Sequence, residues 1–144
     1  MTVKKIDLLT DEQYSRYKPL IPAIRNLWWW LQSPYDGFTK WINIVINNVV
    51  ANGYCDETGG IRPFVVFELD VSDSKFWYKP EKLIGTKFEY GKYTWTILDA
   101  EQGELYALCD EVITKRCFDP ESNDWNKSEL KQWLETEGLK LITN

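Results

Sequence analysis

Hydrophobic and polar positions fall into short blocks along this chain, most closed by a turn or breaker residue, and most blocks read as strands. Lys5-Ile6-Asp7-Leu8-Leu9 reads as the first strand. Thr10-Asp11-Glu12-Gln13 has the form of a capping box, so a short helix is expected through about Lys18, with Pro19 and Pro22 preventing a long one. Trp28 to Gln32 reads as a strand and Ser33-Pro34-Tyr35-Asp36-Gly37 as a turn. Phe38 to Ile46 is apolar and β-branched. It reads as a strand covered on both faces, though pattern alone leaves a buried helix open. Asn47-Asn48 offers a turn into Val49-Val50-Ala51, and Asn52-Gly53 is a strong hairpin signal. Ile61 to Leu69 reads as one buried strand with Pro63 near its start.

Val71 to Glu81 is a polar connection and the best boundary. It divides the chain into 1–70, 71–82 and 83–144, expected to pack as one unit. Further strands are expected at Lys87–Tyr90, Tyr93–Leu98 and Leu105–Val112, with turns at Gly91-Lys92 and Gln102-Gly103. Alternation over Thr94-Trp95-Thr96-Ile97 gives one covered face and one wet face. Asn126 to Glu129 caps a helix carrying Leu130, Trp133 and Leu134 on one face, and Gly138 is read as its stop. The predicted class is α+β, with antiparallel sheets and two short helices.

Composition narrows the chemistry. Aromatic residues make up 15% of the 144 positions, with eight Trp, which suits a compact fold with large core pieces. There is no His, and the three cysteines, Cys55, Cys109 and Cys117, have no zinc-site spacing. His-based acid–base chemistry and Cys–His nucleophile pairs are therefore excluded. No apolar run is long enough to span a membrane, and Met1 to Asp7 lacks a secretory apolar core, so a cytoplasmic location is expected.

The net charge of −5 is uneven: residues 99–137 hold eleven acidic residues against four basic ones. Such a block repels nucleic acid and attracts a basic surface, although a solvated acidic face is the plain alternative.

Trp28-Trp29-Trp30 cannot bury all its indoles on one face of a strand, because alternate residues point to opposite sides. The triplet also opens a set of motifs. Trp29-Trp30-Leu31-Gln32-Ser33-Pro34 and Gly60-Ile61-Arg62-Pro63-Phe64 resemble the WWLRSP and GVRPA motifs of a family of bacterial and phage proteins. Trp95-Thr96-Ile97-Leu98-Asp99 and Trp125-Asn126-Lys127-Ser128-Glu129-Leu130-Lys131-Gln132-Trp133-Leu134 resemble that family's remaining strand and helix motifs. The order departs from the family's, as in a circular permutation or an assembly of two halves, and Gln32 stands where the motif has Arg. The resemblance implies a fold similar to C-type lectins and the formylglycine-generating enzyme. It also implies scaffold roles for Trp29, Trp30, Pro34, Arg62 and Pro63, with Arg62 bonding carbonyls or a buried carboxylate. The three cysteines do not map onto formylglycine chemistry, so that oxidase reading is rejected.

No catalytic constellation emerges. Asp119 to Asn126 is oxygen-rich, but calcium takes about six to eight oxygens, usually from distant segments. Asp110 and Glu111 are adjacent and point to opposite faces of a strand. No metal or cofactor is expected, and the triplet lacks the interleaved basic residues of a direct nucleic-acid binder.

Charge and the resemblance together point to a non-catalytic phage or mobile-element accessory protein acting in the cytoplasm of a bacterial host. Its expected partner is a host protein with a basic surface. An acidic, anti-CRISPR-like inhibitor of a nucleic-acid-binding defence protein is the concrete form. The expected contacts are Asp99, Glu101, Glu104, Asp110, Glu111, Asp119, Glu121 and Asp124. The other reading is a lectin-like module that binds a carbohydrate or surface ligand through Tyr35, Trp41 or Trp77.

Overall fold

The computed structural model, which describes residues 1–144, holds ten strands in two five-stranded sheets, with two short helical regions. In chain order the strands are β1 (Thr2–Asp7), β2 (Trp28–Pro34), β3 (Trp41–Ile46), β4 (Val49–Tyr54), β5 (Thr58–Ile61), β6 (Phe64–Glu68), β7 (Lys87–Tyr90), β8 (Tyr93–Glu101), β9 (Glu104–Cys109) and β10 (Thr114–Cys117). The first helical region is α1 (Asp11–Tyr17). At the C-terminal end, α2 (Glu129–Trp133) and α3 (Leu139–Thr143) are joined by a π-type stretch, Leu134–Gly138. No helix is long and apolar enough to cross a membrane.

One sheet runs β1-β6-β9-β8-β7 and is antiparallel throughout. The other runs β10-β5-β2-β3-β4, with β2 and β5 parallel at Trp29 and Gly60. Each sheet therefore takes strands from both sides of the 71–82 connection. The chain changes sheet at Arg62-Pro63, where a residue without an N–H suits the end of a ladder. The expected single strand Ile61–Leu69 is thus two strands, β5 and β6, in different sheets. The chain also crosses between the sheets from β1 to β2, and from β9 to β10, a strand the sequence pattern did not suggest.

The crossings at Arg62-Pro63 and between β9 and β10 are bonded to each other. Cys109 N donates to Pro63 O at 2.9 Å, and Ile113 N donates to Ile61 O at 2.9 Å. Arg62, only 1% exposed, donates from Nε to Cys109 O at 2.7 Å and from Nη2 to Pro22 O at 2.8 Å. Its guanidinium lies over the Trp29 ring, 5.0 Å from the centroid. Burial pushes the Arg62 pKa down to about 10. Carbonyl oxygens and an indole face therefore hold this cation.

The tryptophan triplet divides as strand alternation requires. Trp30 is fully buried in the larger core, which draws on both sheets and the C-terminal helix; its Nε1 donates to Arg116 O at 2.9 Å. Trp29 belongs to the smaller core beside α1, with Tyr14 edge-on at 5.7 Å. Trp28, half-buried, packs edge-on against Trp30 at 4.9 Å. Gln32, at the motif's Arg position, ties β2 to the end of β1 by donating to Asp7 Oδ1 and Leu8 O.

Several local signals act as expected. Thr10 and Gln13 cap α1 reciprocally, at 3.0 and 2.9 Å. Ser128 caps α2 by accepting from Lys131 N at 3.1 Å. Three others do not. The β3–β4 turn is Asn47-Asn48, both at positive φ, and Asn52-Gly53 lies inside β4. Gly53 is buried on the β4 strand beside Ile44, and a Cβ there would make an ordinary contact with Ile44 at 3.4 Å. Gly138 has helical dihedrals and the helix runs on to Thr143; its missing Cβ makes room for Leu134 and Trp133. Finally, β3 begins at Trp41, which leaves Phe38 in the loop.

Candidate functional site

The eight acidic residues are close in sequence and separate in space. Asp99, Glu101 and Glu104 lie at the tip of the β8–β9 hairpin, where a register shift between Ile97 and Asp99 bends β8. Asp110 and Glu111 follow the opposite end of β9, roughly 20 Å away at strand rise. Asp119, Glu121 and Asp124 belong to the connection between β10 and α2.

Most of these carboxylates already have partners. Glu104 accepts from Lys4 Nζ at 2.5 Å, and that bond, with help from Tyr106, holds its carboxyl below the usual glutamate value. The Tyr106 hydroxyl is shared between Glu104 at 3.0 Å and Glu101 at 3.3 Å. Desolvation first, and these carboxylates second, push its pKa up to about 12. Tyr17 donates to Asp99 Oδ2 at 3.2 Å. Of these groups, Tyr17, Asp99, Glu101 and Tyr106 rim a cleft of about 340 Å³ over Phe64 and Val66. Asp110 takes Lys87 Nζ and Thr96 Oγ1, each at 2.5 Å. Asp119 accepts from the N–H groups of Glu121, Ser122 and Glu129, and Asp124 from that of Asn126. Glu111 and Glu121 are exposed.

The aromatic candidates also divide. Trp77 Nε1 donates to Asp70 O at 2.8 Å, and its ring lies against Gly103 in the β8–β9 turn, so it braces that turn. Tyr35 lies in the β2–β3 loop, and Trp41 opens β3 at the end of that loop. Tyr35 stacks on Phe38 with centroids 5.4 Å apart and planes 10° from parallel. Trp41 meets Tyr54 edge-on at 5.4 Å. Phe38 is 55% exposed and Tyr35 39%, an open aromatic surface.

One residue joins this loop to the acidic connection. Asn123 N donates to Thr39 O at 3.0 Å, and Asn123 Nδ2 donates to Phe38 O at 2.5 Å and Trp41 O at 3.2 Å. The Asp119–Asp124 segment is thereby fixed beside the Tyr35–Phe38 pair. The resulting candidate site holds Tyr35, Phe38, Trp41 and Tyr54, with Glu121 on the neighbouring segment. Phe38, Tyr54 and Asn123 were not singled out in the sequence. Phe38 reads as the first residue of a strand, and the bonds of Asn123 span more than 80 residues.

Burial raises the thiol pKa of Cys55, Cys117 and Cys109, the last to about 12, so all three stay protonated at neutral pH. No group of three or more His, Cys, Asp or Glu side chains is arranged to hold a metal ion. Compared with family models, curated proteins and solved structures, the chain matches none.

Proposed function

We propose that the chain is a non-catalytic binding protein of a phage or mobile element. Its Tyr35–Phe38 loop and the adjoining Asp119–Asp124 segment receive a basic surface of a host protein. The observation that supports this reading is the Asn123 staple, which sets exposed aromatic faces beside an acidic segment. Arginine suits such a surface, because its planar guanidinium stacks on aromatic rings and pairs with carboxylates. A nucleic-acid-binding defence protein is the natural partner class, since its channel carries basic residues and an acidic protein can occupy it in the manner of an anti-CRISPR inhibitor.

The test is affinity capture from host lysate at low and high salt, with wild type and Phe38→Ala/Glu121→Lys side by side. Wild type should retain a basic nucleic-acid-binding protein, and both salt and the double substitution should release it. Equal recovery by the two proteins would remove this reading.

The near-parallel Tyr35–Phe38 pair also favours a second reading, a lectin-like module, because a flat exposed aromatic face suits the face of a sugar ring. A glycan array left blank with and without chelator would rule that out.

A further inference from the structure

Four strands form the open edges of the two sheets: β1 and β7 in one, β10 and β4 in the other. Three carry features that discourage pairing with another chain. β1 has Lys4, Lys5 and a register shift between Val3 and Lys5. β7 has Lys87 and Glu89. β10 has Lys115 and Arg116 and packs near α2, with Arg116 4.9 Å from the Trp133 ring centre. Charges and bulges are the usual means of keeping edges apart. β4, Val-Val-Ala-Asn-Gly-Tyr, has no charge and no proline, and its register with β3 is unbroken.

The neutrality extends over the whole hairpin. From Trp41 to Cys55 there is no Lys, Arg, Asp or Glu, in a chain where charged residues make up 27%. Val49 is 54% exposed, Val50 42% and Ile46 36%. The two-residue turn at Asn47-Asn48 makes Ile46 and Val49 a hydrogen-bonded pair. Alternation then gives the same role to Ile44 with Ala51 and to Ile42 with Gly53. The main-chain N–H and C=O groups of Val50 and Asn52 therefore face the open edge.

We infer that β4 is a self-association edge. A second copy of this chain adds its own β4 antiparallel to the first, about a two-fold axis at Asn52, and the two five-stranded sheets become one. Charge argues for a second copy as the occupant. A two-fold contact sets a surface patch against itself, so a patch of one sign meets its own sign. Each copy carries a net charge of −5, and the 41–55 hairpin is an uncharged surface on which two copies meet without that conflict. The register is also self-complementary. The Asn52 amides face each other, and each can donate and accept. Val50 lies opposite Tyr54 of the second copy, a β-branched and aromatic pair, and Ala51 lies opposite Gly53. A charged foreign strand finds no ion pair on this hairpin.

Sedimentation velocity of the full chain over about a hundredfold range of concentration tests the inference, with the expected result a reversible monomer–dimer equilibrium. Asn52→Lys and Asn52→Glu each place like charges at the axis. Each should weaken the dimer by about a hundredfold while keeping the wild-type thermal midpoint. Mixing the two variants should restore a dimer, because opposite charges then meet. A wild type that stays monomeric throughout would overturn the inference. So would a dimer that either substitution leaves intact, or two monomeric variants that do not pair when mixed.

Discussion

Two groups of aromatic residues lie a few positions apart on one stretch of chain and have opposite surroundings. Trp29 and Trp30 in β2 are 2% and 0% exposed, each in a different core. Tyr35 and Phe38, just beyond the end of the same strand, stack on each other in the open. The difference arises from what covers them. Trp29 has Arg62 and Tyr14 against it, and Trp30 has Phe118 and the Arg116 carbonyl. Tyr35 and Phe38 lie in a loop that Asn123 holds by its backbone carbonyls, which leaves the rings free. Aromatic residues close in sequence thus divide into scaffold and surface, and only tertiary placement separates them.

The largest effect expected from this contrast is at Trp29. Trp29→Ala removes the ring beneath a buried guanidinium and should destabilise by about 3–5 kcal/mol in urea unfolding. A loss of less than about 1 kcal/mol would show that the site collapses around the gap. Gly59→Ala is next. A Cβ at Gly59 would lie 2.3 Å from the Trp28 ring and 2.7 Å from Trp30 Nε1. Overpacking of this kind should cost about 1–3 kcal/mol, and an unchanged thermal midpoint would mean that Trp28 swings aside freely.

At the exposed end, Tyr35→Ala and Phe38→Ala should each change stability by less than about 0.5 kcal/mol, as exposed positions do. Both should still lower partner recovery. A large stability loss at Phe38 would move it into the scaffold class. The smallest effect concerns an acid at the hairpin tip. Lys4, and then Tyr106, hold the Glu104 carboxyl below its ordinary 4.5. Its contribution to stability is present above pH 4.5 and is lost as pH falls through the folded value. Glu104→Gln should therefore lower the neutral region slightly and converge with wild type at low pH, which flattens the acid limb of the stability profile. A limb identical to wild type would show that the Lys4 pair contributes nothing.

Local grammar was legible in the sequence. The capping box at Thr10, the opposite facing of Trp29 and Trp30, and the apolar face of Leu130 and Leu134 all follow from spacing. Where one residue type suits two purposes, pattern failed. Gly53 and Gly138 look like breakers, yet Gly53 lies inside β4 and Gly138 inside a continuing helix, where its missing Cβ makes room for Leu134 and Trp133. Ile61 to Leu69 is mostly apolar and reads as one strand with Pro63 near its start, and that pattern does not tell that the chain leaves one sheet for the other at Arg62-Pro63. The acidic block is continuous in sequence and divided in space. The length of β9 separates Glu104 from Asp110, and Asp119 turns inward to cap its own segment. The site was only half visible, because the bonds from Asn123 to Phe38 and Trp41 join distant stretches that carry no mutual signal.

The division between scaffold and surface is tested most directly by urea unfolding of Trp30→Ala and Phe38→Ala against wild type. Trp30→Ala should lose about 3–5 kcal/mol, while Phe38→Ala unfolds with the wild type. Equal stability of the two variants, with Trp30→Ala folded as well as wild type, would contradict the account and return the tryptophan triplet to the binding surface.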